Sequence, residues 1–149
     1  MSLKENLMKH CWDFVTKKEQ DLIQISQALQ ESLNAETKSS AGDKHETGRA
    51  MVQLEQEKLG KQLFELNQMK QILQKVGLAE TKDKIRLGSW VKTNYNQFFI
   101  AISAGFLNSS EGKVFCISAA SPIGQLLLGK QKGETFNLNG KQIKILEVN

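Results

Sequence analysis

Asp43 and Glu46 are the residues of this sequence whose types and spacing most suggest chemistry: two carboxylates three positions apart within the run SSAGDKHETGRA. At the start of a helix that spacing turns both toward one side. The pair could jointly hold a Mg2+, an ion that takes one or two protein carboxylates and keeps positions open for phosphate and water. The same spacing is also a capping box, in which both side chains satisfy free amides of the first helical turn. Spacing alone favours the cap and leaves the metal role open. His45 could be a further ligand or an ordinary exposed loop histidine. Lys44 and Arg49 could meet phosphate or stand in solvent.

Other chemistries are not supported. Gly42 and Gly48 do not form a phosphate loop, because Arg49-Ala50 stands where Lys-Ser/Thr is needed and no strand precedes them. No nucleophile elbow is present, and the 2 histidines do not complete a Ser/His/Asp set, since His10 lies far along the chain from any strand. An enzyme with its own pocket is therefore not expected. Cys11 and Cys116 sit in apolar surroundings in different halves and read as buried free thiols. No Cys/His spacing suits structural zinc.

The elements that would position the acidic pair follow from periodicity. Leu3, Leu7, Cys11, Phe14, Leu22, Ile25, Leu29 and Leu33 step by about three and four, with Lys18 filling one gap, as on one seam of a helix. The pattern breaks over 34–42, a loop-like stretch. It resumes at Met51, Val52 or Leu54, Leu59, Leu63, Leu66, Met69, Leu73 and Val76. Two helices of about 30 residues joined by a short turn should lie antiparallel. Gly77 is expected to close the second helix.

Beyond that point the texture changes: 7 Phe, 2 Trp and 1 Tyr make up the aromatics, and most of them fall after residue 77. Strands are expected over 85–92, 97–103, 112–118, 134–138 and 141–148, the last two joined by an Asn139-Gly140 turn. Ser121-Pro122 reads as a helix cap and first turn, with a short helix over 123–128 stopped by Gly129. The expected fold is α+β: an antiparallel coiled-coil hairpin over 1–78 with its acidic tip near 40–48, then a small antiparallel β domain with one short helix over 79–149.

At 40% hydrophobic and 24% charged, the chain suits a soluble globular protein. It lacks an apolar run near the roughly 20 residues that cross a membrane, and it lacks a secretion signal core. A cytoplasmic location and no membrane partner are expected. The net charge of +4 comes from the second half; a mildly basic domain favours an acidic surface or nucleic acid without deciding between them.

The run over 117–134, ISAASPIGQLLLGKQKGE, resembles the carboxy-terminal signature of the bacterial Gre transcript-cleavage factors. That pattern is Ser-Pro-Ile, a short apolar helix, Leu-Gly-Lys, two variable residues and Gly-Glu/Asp. Ser121, Pro122, Ile123, Leu128, Gly129, Lys130, Gly133 and Glu134 match it in order. Gly42, Asp43 and Glu46 match the family's Gly-Asp-x-x-Glu at the tip of its coiled coil. The resemblance covers nearly the whole chain and implies a domain like the FK506-binding proteins, docking on RNA polymerase through residues such as Ser121, Pro122, Ile123, Gly129 and Lys130. It also implies a coiled coil entering the polymerase's secondary channel. There Asp43 and Glu46 would help hold a Mg2+ shared with the polymerase and promote cleavage of backtracked RNA at its 3′ end. A monomeric accessory factor is implied, completing another enzyme's active site. The sequence departs from the family after the acidic pair, where Thr47-Gly48-Arg49-Ala50 replaces the usual Asn-Ala-Glu-Tyr, and on the first helix, where Gln30-Glu31-Ser32-Leu33 replaces an Arg-Pro element. Alternatives are a regulator in the same channel without cleavage, a prolyl isomerase or chaperone using Trp90, Tyr95, Phe98, Phe99 and Phe115, and a coiled-coil adaptor.

Overall fold

Neither Pro nor Gly occurs before Gly42, and one helix, α1, runs Leu3–Lys38; a second, α2, runs Lys44–Lys75. The computed structural model describes residues 2–38, 44–79 and 83–149, and over 36–38 and 44–47 it describes the backbone alone. The chain divides into two compact units, Val15–Lys70 on one hand and Met1–Phe14 with Gln71–Asn149 on the other. Among the described residues, no helix is long and apolar enough to cross a membrane.

The helical unit Val15–Lys70 is an antiparallel hairpin. Val15 and Leu22 are buried and Leu29 half-buried, each one heptad from the next; Val52, Leu59 and Leu66 repeat the spacing on α2. Glu19 of α1 forms an ion pair with Lys70 of α2, which sets the middle of α1 beside a late turn of α2. The expected stripe needs correction here. In α1 the second seam position falls four residues after the first, at Glu19 and Leu33, so Ile25, three after Leu22, turns to the flank and is 44% exposed. Lys18 is exposed, and Val15 with Glu19 fills the gap assigned to it. Met51 and Leu54 are also exposed. The helix α1 continues through 34–38, which was expected to be loop, because Ala, Glu and Lys there are good helix formers.

The other unit is built on a six-stranded sheet of β1 Trp90–Thr93, β2 Gln97–Ala101, β3 Phe106–Ser109, β4 Gly112–Ser118, β5 Thr135–Leu138 and β6 Lys141–Val148. Its order is β3-β4-β2-β1-β6-β5. The β2–β4 pair runs parallel, Phe98 beside Phe115 and Ile100 beside Ile117, whereas the expectation was antiparallel throughout. The reason is β3, a strand not foreseen: it crosses to the sheet edge and returns through a Ser110-Glu111 turn, bringing β4 back alongside β2. The helix α3 spans Pro122–Leu127. Its Leu127 packs with Val91, Phe98, Ile100, Ile145 and Val148 on one sheet face. Each such side chain contributes about 1.5–3 kcal/mol relative to exposure.

The expected strand over 85–92 shrinks to β1. Gly88, at φ +90, makes a tight turn there, and Ile85 instead pairs its backbone with Gly129 and Lys130 at 2.9 and 2.8 Å. Gly77 plays a different part from the one expected. α2 ends at Lys75 and Gly77 has no positive φ, but its carbonyl oxygen lies 2.5 Å from where a Cβ on Gly88 would stand. The bare Cα of Gly88 permits this close backbone approach, whereas a Cβ on Gly77 would meet nothing within 4 Å.

Candidate functional site

The end of the hairpin is set by where α2 begins. With Lys44 as the first helical residue, Glu46 belongs to the first turn, where a carboxylate is favoured by the helix dipole. Asp43 lies outside the described residues, as do the side chains of Lys44, His45 and Glu46. Gly48 is half-buried within α2 and Arg49 is exposed one residue on. Among the described residues, no group of three or more His, Cys, Asp or Glu could hold a metal ion.

The residues over 121–134 form one continuous device around α3. Ser121 is the N-cap: its Oγ accepts from the Gly124 N–H at 3.1 Å and donates to the Ser118 carbonyl at 2.6 Å. Pro122 occupies the first turn, where its missing N–H costs nothing. Gly124 is required by contact, because a Cβ there would stand 2.2 Å from the Ser118 carbonyl oxygen. Gly129, at φ +81, reverses the chain after the helix and donates to the Ile85 carbonyl. Gly133, at φ +92, then donates to the Ile145 carbonyl, and the Glu134 carboxylate accepts from the Gln131 N–H.

Burial divides the docking candidates. Pro122 and Gly129 are exposed, whereas Ser121, Ile123 and Lys130 are half-buried, Ile123 against the core and the Lys130 ammonium 5.5 Å from the Phe136 ring centre. Exposed Leu128 and Gln125 flank them. The surface is thus a small apolar edge with one cation.

The five aromatics considered for an isomerase pocket do not converge. Trp90 pairs with Phe99 across β1 and β2, which puts both on one face, and Phe98 pairs with Phe115 on the other. Phe99 is fully buried, and Tyr95, 52% exposed, lies at the β1–β2 turn. Trp90 donates its ring N–H to Gln97 at 2.9 Å.

Two features were not visible in the sequence. A His10 ring nitrogen lies 2.7 Å from the Ala104 carbonyl oxygen, so this histidine, distant along the chain, meets the segment entering β3. Beside it opens a cleft of about 530 Å³, lined in part by Asn6, the Lys9–Asp13 ion pair, Ser109 and Glu111. No local signal marks either, since both depend on contacts across some ninety positions of chain.

No protein-family model matches the sequence, and no curated protein matches it. Among solved structures, the chain is similar to the crystal structure of the GreA factor homolog 1 (Gfh1) protein of Thermus thermophilus. The two are 17% identical, with 95% of this chain and 94% of that chain covered, at a TM-score of 0.35.

Proposed function

We propose that this chain is a transcription elongation factor of the Gre type, which binds RNA polymerase and reaches its active centre through the secondary channel with the helical hairpin. The observation that carries the reading is the order of two motif runs along two units. Gly42-Asp43-x-x-Glu46 follows α1 in the sequence and runs into the first turn of α2, and the run over 121–134 stands around α3 in the unit that holds the sheet.

The chain supplies half of a site. Two carboxylates at the start of α2 suit a Mg2+ in number and type, and they leave most of its coordination to other groups. Asp43 and Glu46 would hold such an ion jointly with acidic groups of the polymerase. When bound there, the ion supplies charge neutralisation at a phosphodiester and lowers the pKa of water beside it. The carboxylates orient that water toward the backtracked RNA, and Lys44 and Arg49 balance the phosphate charge. The surface of Pro122, Ile123, Gly129 and Lys130 docks on the polymerase exterior, and the factor acts as a monomer in the cytoplasm.

The test is a backtracked elongation complex incubated with wild-type protein or the Asp43→Asn/Glu46→Gln double variant. Both replacements still cap a helix, so the hairpin is kept while the ligands are lost. Cleavage stimulation is expected to fall by about 100-fold or more, with pull-down of core polymerase unchanged. Cleavage equal to wild type in the double variant would refute the metal role. A second reading, regulation from the same channel without cleavage, is favoured by Gly48 standing inside α2 where the family has Ala. It predicts that wild-type protein changes pausing but releases no RNA fragment.

A further inference from the structure

The strand β5 ends the sheet on one side: in the order β3-β4-β2-β1-β6-β5 it pairs with β6 alone. Its register decides which of its backbone groups stay free. The Ile145 N–H donates to the Glu134 carbonyl at 2.9 Å, so the next pair along, Thr135 with Lys144, falls between ladder bonds. Bonded pairs then recur at Phe136 with Ile143 and at Leu138 with Lys141. The N–H and carbonyl groups of Thr135 and Asn137 therefore point away from the sheet. Among the described residues, no group hydrogen-bonds to either.

Exposed edges are usually guarded by a charge or a proline on the strand, by a bulge or by a covering element. β5 reads Thr-Phe-Asn-Leu, without charge or proline, and its register with β6 is unbroken. The charges stand beside it instead. Residues 130–144 hold four lysines and one carboxylate, Glu134, which is turned onto the Gln131 N–H. Lys132, Lys141 and Lys144 are exposed, and among the described residues none of the four lysines has an ion-pair partner. Lys144 lies across from Thr135 and Lys141 across from Leu138, so a cation flanks the edge on each face of the sheet.

Charge and hydrogen-bond pattern together select what covers this edge. A second copy paired edge to edge would bring two sets of lysines together, and like charges repel. A phosphate backbone offers acceptors alone and leaves the Thr135 and Asn137 carbonyls unanswered. An extended polypeptide offers donors and acceptors in alternation, and carboxylates along it answer the lysines. The opposite edge, β3, lacks this one-sided charge, since the Lys9–Asp13 ion pair and Glu111 line the cleft there.

We propose that the β5 edge binds an extended acidic segment of a partner polypeptide, added to the sheet as a further strand. Thr135 and Asn137 each donate one N–H to the segment and accept one from it. Strands lie about 4.8 Å apart, so Lys141 and Lys144 stand roughly 10 Å from the added backbone, a gap that lysine and glutamate side chains span together. The binding needs neither the acidic tip nor the polymerase.

The experiment titrates the full 15N-labelled chain with a short capped peptide that alternates glutamate and valine. The amide resonances of Thr135 and Asn137 should move, and their hydrogen exchange should slow by at least about tenfold. A peptide alternating lysine and valine should leave both unchanged. The acidic peptide N-methylated at two neighbouring central residues, which blocks both its edges at unchanged charge, should bind at least about tenfold more weakly. Asn137→Pro removes an outward N–H that β6 does not use, and it should weaken binding by a similar factor with the rest of the spectrum preserved. Unmoved Thr135 and Asn137 amides overturn the proposal, as does equal binding of the N-methylated peptide, which would mean charge attraction alone. Displacement of the peptide by oligouridylate, with the same amides moving, overturns it in favour of nucleic acid. A dimer in sedimentation that Asn137→Pro dissociates overturns it in favour of a second copy.

Discussion

Ser121 and Gly124 show how far single residues can be understood from their neighbours. The cap role of Ser121 and the turn at Gly129 were legible, because each depends on bonds within a few positions. Gly124 was not, since its need for a bare Cα comes from the Ser118 carbonyl folding back from the end of β4. A methyl group at 2.2 Å from a backbone oxygen cannot be absorbed by a rotamer change. Gly124→Ala should therefore cost on the order of 2–3 kcal/mol, seen as a lower urea midpoint with an unchanged slope. At Asp43 and Glu46 one spacing suits two physical ends, a cap or a cation site. Local sequence cannot choose between them, and the choice falls to the Asn/Gln double variant in the cleavage assay.

Among the elements, the helices were the easiest to foresee, because a heptad seam repeats over many turns and tolerates a few misplaced residues. Their ends were harder: residues 34–38 have loop-like neighbours and yet helix-forming side chains, and the helix prevails. The strand β3 was missed because its sequence, Phe106-Leu107-Asn108-Ser109, sets two apolar residues before two polar ones and so lacks the alternation that marks a strand. With it went the parallel β2–β4 pairing, which no amount of local patterning reveals. α2 also allows a direct test of helix propensity. Gly60 lies in its middle, exposed, and a Cβ there would meet nothing within 4 Å. Gly60→Ala should stabilise by about 1 kcal/mol, read as a higher denaturation midpoint of the helical signal by circular dichroism. No gain would show that a neighbour restrains this position.

At the scale of the molecule, the two units rest on different kinds of core. The unit with the sheet buries a cluster that includes Ile85, Val91, Phe98, Ile100, Leu127, Ile145 and Val148, whereas the hairpin relies on one seam of residues between two helices. Local opening is cheaper where fewer apolar groups must be exposed. Amide hydrogen exchange is therefore expected to be at least about tenfold slower in β1, β2 and β6 than in α1 and α2 between Val15 and Lys70, measured by mass spectrometry of peptic fragments. Equal protection would mean the chain opens as one cooperative body. The division into units has a further consequence for how the chain reaches its fold. The stretch Val15–Lys70 interrupts a unit whose two pieces, Met1–Phe14 and Gln71–Asn149, lie on either side of it in the sequence. The first helical turns wait for their partner strands until those strands have been made. The hairpin is made before those strands, and most of its hydrogen bonds lie within its own two helices, which favours its early formation. Once it closes, residues 14 and 71 are brought near each other, and a long loop becomes a short one for the step that follows. Closing the hairpin therefore lowers the chain entropy lost when the interrupted unit assembles.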